Sequence, residues 1–226
     1  MEWLFTMRLL AISDIHGKVS SLNSILERTS DHVDAITVSG DISHYGDRDE
    51  VQRILGILEG TGVPVYYVLG NCDPKEALGL RPSKAVHLED RCEEYQGLAL
   101  TGAGGSMPTP FGTTFERDEE ELLSQIVKNL RDCRHEARRL MLVVHNPPYG
   151  GIVDRTSFGR HVGSKRLKEL ILTLSPVAVQ CGHIHEAAGV ERIGETVVFN
   201  PGPAMKGNHA LVEVAGDGVR VSLEKV

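Results

Sequence analysis

Seven side chains that can bind a metal ion follow apolar segments of this sequence. They are Asp14, His16, Asp41, Asn71, His145, His183 and His185. Carboxylate, amide oxygen and imidazole together suit Mn²⁺, Fe, Zn²⁺, Co²⁺ or Ni²⁺. Each residue alone has an ordinary explanation, because an Asp after a strand is often a turn former and a single His often lies in a core or on a surface. Their recurrence at the ends of apolar segments predicts one joint metal site.

The pair His183 and His185 carries more information than a single histidine. In an extended segment, side chains two positions apart point to the same side. Both imidazoles of the HxH sequence are therefore expected to face one site.

The elements that must position these residues are apolar strands that alternate with amphipathic helices. The sequence predicts strands at 8–13, 34–39 and 63–69, with helices at 19–30 and 49–60. Continuous apolar strands in this order are typical of a largely parallel sheet with both faces covered. Residues just beyond the carboxyl ends of such strands converge on one crevice. Asp14, Asp41 and Asn71 occupy those places.

The second half of the chain predicts a further sheet. Short strands are expected at 84–88, 93–96 and 98–102, helices at 116–139 and 164–175, and strands at 139–145, 176–185, 189–200 and 210–224. Ser164 is expected to cap the helix that follows it. The sequence has no repeat and no linker, so we expect residues 1–226 to form a single domain with two sheets.

The composition of the chain disfavours several classes of protein. The net charge is −7 over 226 residues, which disfavours general binding to nucleic acid or to a membrane surface. No apolar run approaches the length of a membrane span. The N-terminal segment lacks the basic region and cleavage site of a signal peptide, so we expect a cytoplasmic protein. Cys72, Cys92, Cys133 and Cys181 form no CxxC pair, and we expect reduced thiols.

The motifs D-x-H, G-D, G-N-x-D, H and G-H-x-H occur in that order between Asp14 and His185. This pattern resembles the calcineurin-like metallophosphoesterase family, and HNPPYG, GHIHE and FNPGP resemble its small prokaryotic members. The resemblance implies an α/β fold, the calcineurin-like four-layer α/β/β/α sandwich with two mixed sheets. It also implies a single metallophosphoesterase domain over 1–226.

The resemblance further implies a centre of two divalent metal ions, with Mn²⁺ expected and Fe, Zn²⁺, Ni²⁺ or Co²⁺ as alternatives. One metal would be bound by Asp14, His16, Asp41 and His185. The other would be bound by Asp41, Asn71, His145 and His183. Asp41 would bridge the two metals, and a hydroxide between them would attack phosphorus.

The stretch GNCD, residues 70–73, departs from a pattern common in this family. Many members have a His where this chain has Cys72, and that His is thought to assist the leaving group while the following Asp holds it. We therefore place Asp41, Asn71, Cys72 and Asp73 in the catalytic group. The alternative is that Cys72 is a small buried hydrophobe. A role as a metal ligand is disfavoured, since neighbours in an extended segment point opposite ways.

Three other side chains are candidates for substrate binding. His44 and His161 could replace the missing acid, and Arg155 could hold a phosphate oxygen. The alternative for each is a solvated surface residue.

Several functions fit these features. The first is a metal-dependent phosphodiesterase acting on a small phosphate ester, with the oligomeric state left open. The alternatives are a non-catalytic metal-binding scaffold of the same fold and a phosphomonoesterase. The acidic charge disfavours a nuclease. The complete set of ligands argues against a scaffold.

Overall fold

The computed structural model describes residues 6–131, 133, 139–216 and 218–226. The first sheet has the strand order β12-β11-β1-β2-β3-β4. Its strands are β1 (Met7–Ile12), β2 (Ala35–Ser39), β3 (Val65–Val68), β4 (Ala85–His87), β11 (Asn208–Ala215) and β12 (Gly218–Lys225). Strands β1 to β4 pair in parallel, whereas β11 pairs antiparallel with both β1 and β12. This sheet is therefore mixed.

The second sheet has the strand order β5-β6-β7-β8-β10-β9. Its strands are β5 (Glu93–Tyr95), β6 (Leu98–Ala103), β7 (Arg139–Val144), β8 (Ala178–Gln180), β9 (Gly189–Ile193) and β10 (Thr196–Asn200). Strands β6, β7, β8 and β10 are parallel, and the edge strands β5 and β9 are antiparallel to their neighbours.

The alternation of side chains along β1 shows why the two sheets stack. Leu9 and Ala11 lie in a buried cluster shared with the second sheet, which includes Leu100 and Val143. The residues on the opposite face of β1 pack with helices α1 (Val19–Thr29) and α2 (Arg48–Glu59). A strand buried on both faces reads as the continuous apolar run seen in the sequence.

The outer face of the second sheet is covered in the same way. Leu142 and Val144 of β7 pack with Ile126 of α3 (Glu119–Leu130) and Ile171 of α4 (Lys165–Leu174). The layers are thus helix, sheet, sheet and helix, which confirms the predicted four-layer α/β/β/α sandwich with two mixed sheets.

Helix boundaries follow the capping residues. Ser164 accepts a hydrogen bond from the Leu167 backbone N–H at 2.8 Å, so it caps α4 as predicted. The predicted helix 116–139 begins later, because Asp118 caps α3 by accepting from the Glu121 N–H. Within the described chain α3 ends at Leu130, and residues 132 and 134–138 of the predicted helix lie outside the described residues.

The structure contradicts one prediction about the cysteines. Cys92 and Cys133 are joined by a disulfide, whereas Cys72 and Cys181 are free and buried. The expectation of four reduced thiols is therefore wrong for the first pair. The two cysteines are 41 residues apart in sequence, and their proximity depends on the packing of α3 on the second sheet.

No helix in the described ranges is both long and apolar enough to pass through a bilayer.

Candidate metal centre

The seven predicted donors lie at the carboxyl ends of strands in both sheets. The first-sheet residues follow neighbouring parallel strands, and backbone hydrogen bonds tie them together: Asp14 N donates to Gly40 O and His16 N donates to Asp41 O. In the second sheet, Gly182 N donates to His145 O. The carboxyl ends of strands from both sheets therefore contribute residues to one site.

A buried glutamine ties the two sheets beneath this site. The Gln180 side chain on β8 donates to Ile12 O on β1 at 2.9 Å and accepts from the Thr37 hydroxyl on β2. Gln180 is fully buried. Sequence reasoning missed it, although a Gln inside the apolar run PVAVQC was the available signal.

One group of donors surrounds His16. Its Nε2 lies 3.0 Å from His185 Nε2 and 3.5 Å from Asp41 Oδ2. His185 Nε2 lies 3.4 Å from Asp14 Oδ1. Asp14 Oδ2 is buried and has no hydrogen-bond partner among the described residues. An unpaired buried carboxylate oxygen beside two imidazoles fits a bound cation.

A second group of donors surrounds His145. Its Nε2 lies 2.8 Å from Asn71 Oδ1 and 3.5 Å from Asp41 Oδ1. The His183 ring lies 5.1 Å from the His145 ring. His145 Nδ1 must donate to Ser39 O at 2.7 Å, because a carbonyl oxygen only accepts. In the neutral ring Nε2 then has a free lone pair, and this lone pair faces Asn71 Oδ1, which is also an acceptor. Two acceptors that face each other fit a site in which both bind one cation.

Asp41 lies between the two groups. Its Oδ2 faces His16 and its Oδ1 faces His145, and the Cys72 N–H donates to Oδ1 at 2.8 Å. Its side chain is only 3% exposed. A buried carboxylate with one oxygen toward each group has the arrangement of a bridging ligand.

The backbone at these positions is strained. Asp14, His16, Asp41 and His183 have φ values of 54°, 46°, 49° and 71°. Residues with side chains rarely adopt this left-handed region, and such outliers cluster at functional sites. The HxH pair therefore reaches one site through a turn rather than through the predicted extended segment.

The glycine before Asn71 allows the close approach of the strand ends. A Cβ at Gly70 would clash with the Asp41 carboxylate. A Cβ at Gly40 would lie 2.7 Å from His145 Nδ1, and Gly40 has φ 98°. The glycines of the SGD and LGN sequences are thus required by packing at the site.

Burial sets the protonation of the donors. It lowers the pKa of His183 to about 3 and that of His16 to about 4, so both rings are neutral and have free lone pairs. Burial raises the pKa of Asp41 to about 6. Burial also acts to raise the pKa of Asp14, but its hydrogen bond to His185 and the nearby His145 give a net lowering. Neutral imidazoles beside crowded buried carboxylates suit divalent cations.

Cys72 faces this site. Its Sγ and ligand atoms of His16 and Asp41 all lie within 4.8 Å of one another. The expectation that Cys72 points away from Asn71 is wrong, because residues 71–73 form a turn and not an extended segment. Burial raises the pKa of the Cys72 thiol, and the Asp41 charge adds to this effect.

Asp73 lies behind the donors rather than among them. Its carboxylate accepts from the backbone N–H groups of Ile42, Ser43 and Gly70 and from the Ser43 hydroxyl, at 2.7 to 3.1 Å. It therefore joins the turn after β2 to the turn after β3.

The three candidates for substrate binding lie in two places. His44 Nδ1 is 3.2 Å from His16 Nδ1, so His44 belongs to the site. His161 contacts Asp154 and Tyr149, and it pairs through its backbone with Arg155. In the described part of the chain, no contact joins Arg155 or His161 to the seven donors.

Sequence reasoning also missed Tyr45, which follows His44. Tyr45 has φ 55°, and its ring lies 5.0 Å from the ring of His44. The sequence offered only its place beside His44 in SHYGD as a signal.

Comparisons with known proteins agree with this geometry. The sequence profile of the family described as "Calcineurin-like phosphoesterase" matches residues 7–187. "Uncharacterized protein MJ1162" of Methanocaldococcus jannaschii is 35% identical over 201 residues, covering 87% of this chain and 88% of that protein. A "probable cyclic nucleotide phosphodiesterase" of Vesicomyosocius okutanii is 22% identical, covering 89% and 88%. The crystal structure of TT1561 of Thermus thermophilus superposes with a TM-score of 0.73 at 18% identity, covering 96% of this chain and 99% of that one.

Proposed function

The chain belongs to the calcineurin-like phosphoesterase family, and on that premise we propose that it hydrolyses small phosphodiesters with the help of two divalent metal ions. The observation that carries the proposal is the position of Asp41, with one carboxylate oxygen toward His16 and the other toward His145. A site for a single metal ion would need only one of these two oxygens to point toward a group of donors.

The residues that would hold the metals form two sets that share Asp41. One set is Asp14, His16, Asp41 and His185, and the other is Asp41, Asn71, His145 and His183. When bound, two divalent cations lower the pKa of a shared water from about 15.7 toward about 7 and offset the charge of the phosphoryl oxygens. Manganese is the metal we propose, with Fe, Zn²⁺, Ni²⁺ and Co²⁺ to be compared in the same assay.

The protein residues orient these sets before substrate arrives. The hydrogen bond from His145 Nδ1 to Ser39 O fixes the ring and leaves Nε2 free for a metal. Asn71 contributes a neutral oxygen, which limits the negative charge of the site and so favours an anionic substrate. The Cys72 N–H holds Asp41 Oδ1 in place.

Two observations support a small diester as the substrate class. A similar protein that spans almost the same length is named a probable cyclic nucleotide phosphodiesterase. The net charge of −7 disfavours long nucleic acids, which bind through many phosphate contacts.

The test is hydrolysis of bis-p-nitrophenyl phosphate by metal-stripped protein, with and without added Mn²⁺. We expect turnover only with metal, and a loss of at least about 100-fold in Asp41→Asn because the bridging charge is removed. Asp31→Asn, on an exposed residue of a short 3₁₀ helix after α1, is the matched control and should keep full activity.

The same experiment separates the alternatives. Tight Mn²⁺ binding without turnover of this diester would contradict the proposal. Turnover of p-nitrophenyl phosphate in its place would then identify a monoesterase, and absence of both activities would identify a scaffold.

A further inference from the structure

Strand β12 forms a long and regular edge of the first sheet. It pairs with β11 at all eight of its positions in one continuous register. The other edge strands are shorter, since β4 and β5 have three residues each and β9 has five. Natural sheets protect their edges with short strands, bulges or proline, because an open edge can pair with another chain. β12 has none of these protections, so its edge is suited to pairing.

The register shows which backbone groups lie on that open edge. In an antiparallel ladder, successive residues alternate between those directed at the neighbouring strand and those directed away from it. Val226, which follows β12, donates its N–H to Gly207 O at 3.1 Å and so continues the ladder with β11. The even-numbered residues of β12 are therefore directed at β11. The N–H and C=O groups of Val221 and Leu223 face the open side, where no strand of the described ranges pairs with them.

The sequence of β12 is complementary to itself in one antiparallel register. If Ser222 of two copies lies on a two-fold axis, Val221 of each copy is opposite Leu223 of the other, and Arg220 is opposite Glu224. The open backbone groups of Val221 and Leu223 then face each other. Opposite charges directly across two strands stabilise the pair. Moving the axis to Val221 or to Leu223 removes both Arg–Glu pairs.

The apolar side chains of β12 fit the same register. Val221 lies opposite Val212 and packs on the core between the two sheets. Leu223 lies opposite the fully buried Ala210 but is itself 40% exposed. Beside Val221 of a second copy, Leu223 would be covered, and the apolar row would continue across the axis.

The charged side chains on the other face of the sheet also continue a row. Arg8 pairs with Glu213 at 3.2 Å, and Glu213 lies opposite Arg220 on β12. Glu224 lies 3.5 Å from His209 Nε2, and its side chain is 45% exposed. The carboxylate of Glu224 therefore remains accessible to an arginine of a second copy. Charges that alternate along β1, β11 and β12 would alternate across the axis as well.

We propose that β12 pairs with β12 of a second copy of this chain, antiparallel and with Ser222 on the two-fold axis, so that the two first sheets form one continuous sheet. The partner is a second copy because the strand itself supplies the matching backbone groups, apolar side chains and charges. Main-chain hydrogen bonds give such an added strand its affinity, and the charge pairs set its register. The dimer goes beyond the proposed function and does not depend on the metal centre.

The first experiment measures the mass of the full chain by light scattering during size exclusion. We expect wild type to have twice the mass of one chain at about 100 µM protein, which is enough to populate a micromolar interface. Arg220→Glu alone and Glu224→Arg alone should each give the mass of one chain, because each places like charges opposite each other across the axis. Arg166→Glu, at an exposed arginine of α4, is the matched control and should keep the doubled mass.

An equimolar mixture of the two variants tests the register itself. Arg220→Glu has carboxylates at both positions and Glu224→Arg has guanidinium groups at both, so a mixed pair has opposite charges throughout. We expect the mixture to recover the doubled mass. A single-chain mass for wild type, a doubled mass for both variants alone, or no recovery in the mixture would overturn the proposal.

The second experiment uses wild type and does not depend on how the variants fold. Amide hydrogen exchange at about 100 µM should be at least about tenfold slower for Val221 and Leu223 than in an unstructured chain, because their N–H groups are bonded only in the dimer. The same two amides should exchange close to the unstructured rate in Glu224→Arg. A wild-type dimer in which these amides exchange at the unstructured rate would place the interface elsewhere and overturn the proposal.

Discussion

Cys72 brings a thiol to a place where the family resemblance expects an imidazole. The thiol is 7% exposed, and burial raises its pKa, so it holds its proton near neutral pH. It is therefore a poor proton donor for a leaving group. Its main contribution is the backbone N–H that binds Asp41.

This leads to a prediction for Cys72→Ala. We expect kcat for bis-p-nitrophenyl phosphate to stay within about threefold of wild type, since p-nitrophenolate leaves without an acid and the backbone N–H is kept. Steady-state kinetics at fixed Mn²⁺ would measure this. Cys181→Ala, at the other free buried cysteine, controls for the loss of a buried thiol. A tenfold loss with full metal content would show that the sulfur itself takes part.

At the residue scale the sequence indicated which side chains come together and was a poor guide to their direction. All seven donors predicted from their positions after strands lie within the two groups. The orientation of Cys72 was wrong because the chain turns at Asn71, and the sequence offers no measure of that angle. Tyr45 was missed because its place beside the His44 ring depends on a left-handed φ, which the neighbouring residues in the sequence do not indicate.

Among the elements, the loop between β7 and α4 is held by a buried carboxylate. Asp154 is fully buried, accepts from the N–H groups of Gly150, Gly151 and Gly163, and pairs with His161 Nδ1 at 2.8 Å. These hydrogen bonds position both Arg155 and His161. Substrate binding by those two residues stays a prediction from the sequence.

The buried Asp154 carboxylate predicts that the stability of the folded protein depends on pH. Burial acts to raise the pKa of Asp154, but the Gly150 N–H and His161 outweigh it, so the pKa is lowered from 3.8. A carboxyl whose pKa is lowered on folding stabilises the protein above its unfolded pKa, and this contribution is lost as the pH falls through the folded value. We expect Asp154→Asn to lower Tm at pH 7 and the difference from wild type to shrink below about pH 4, as measured by thermal unfolding.

The control for this prediction is Asp31→Asn, at an exposed residue of the short 3₁₀ helix after α1. Its Tm should follow that of wild type at every pH. A difference between Asp154→Asn and wild type that stays constant from pH 7 to pH 3 would contradict the role of the charge.

The elements themselves were largely predicted from sequence, because their apolar periodicity reflects burial. Strand β2 is buried at every position, as its continuous apolar run indicates. The end of α3 and the disulfide between Cys92 and Cys133 were not predicted. The disulfide depends on how α3 packs against the second sheet, and it leaves no local pattern in the sequence. Disulfides are rare in the cytosol of mesophiles, so this bond and the predicted cytoplasmic location point in opposite directions.

On the scale of the whole molecule, we propose that residues 1–226 form a single domain. Strands β11 and β12 complete the first sheet beside β1, and Gln180 links the two sheets through Ile12 and Thr37. The candidate metal donors come from both sheets. Neither sheet therefore has a complete core or a complete site without the other.

The prediction is a single cooperative unfolding transition that shifts as a whole with metal. Stripped protein should unfold at a lower Tm than Mn²⁺-loaded protein, since a ligand that binds only the folded state stabilises it. Circular dichroism and calorimetry should give coincident transitions. Asp41→Asn should abolish the shift caused by Mn²⁺. Two separate transitions would show that the sheets fold as independent units.

The pairing of β1 with β11 also determines when during biosynthesis this protein can fold. Met7 lies opposite Val214, so β1 has no antiparallel neighbour on that side until β11 has left the ribosome. Contacts between such distant residues slow folding and leave a nascent strand edge exposed to other chains. In the same way, Asp14 and His16 cannot contact His185 until His185 has been synthesised. The candidate metal centre can therefore form only after His185 has left the ribosome.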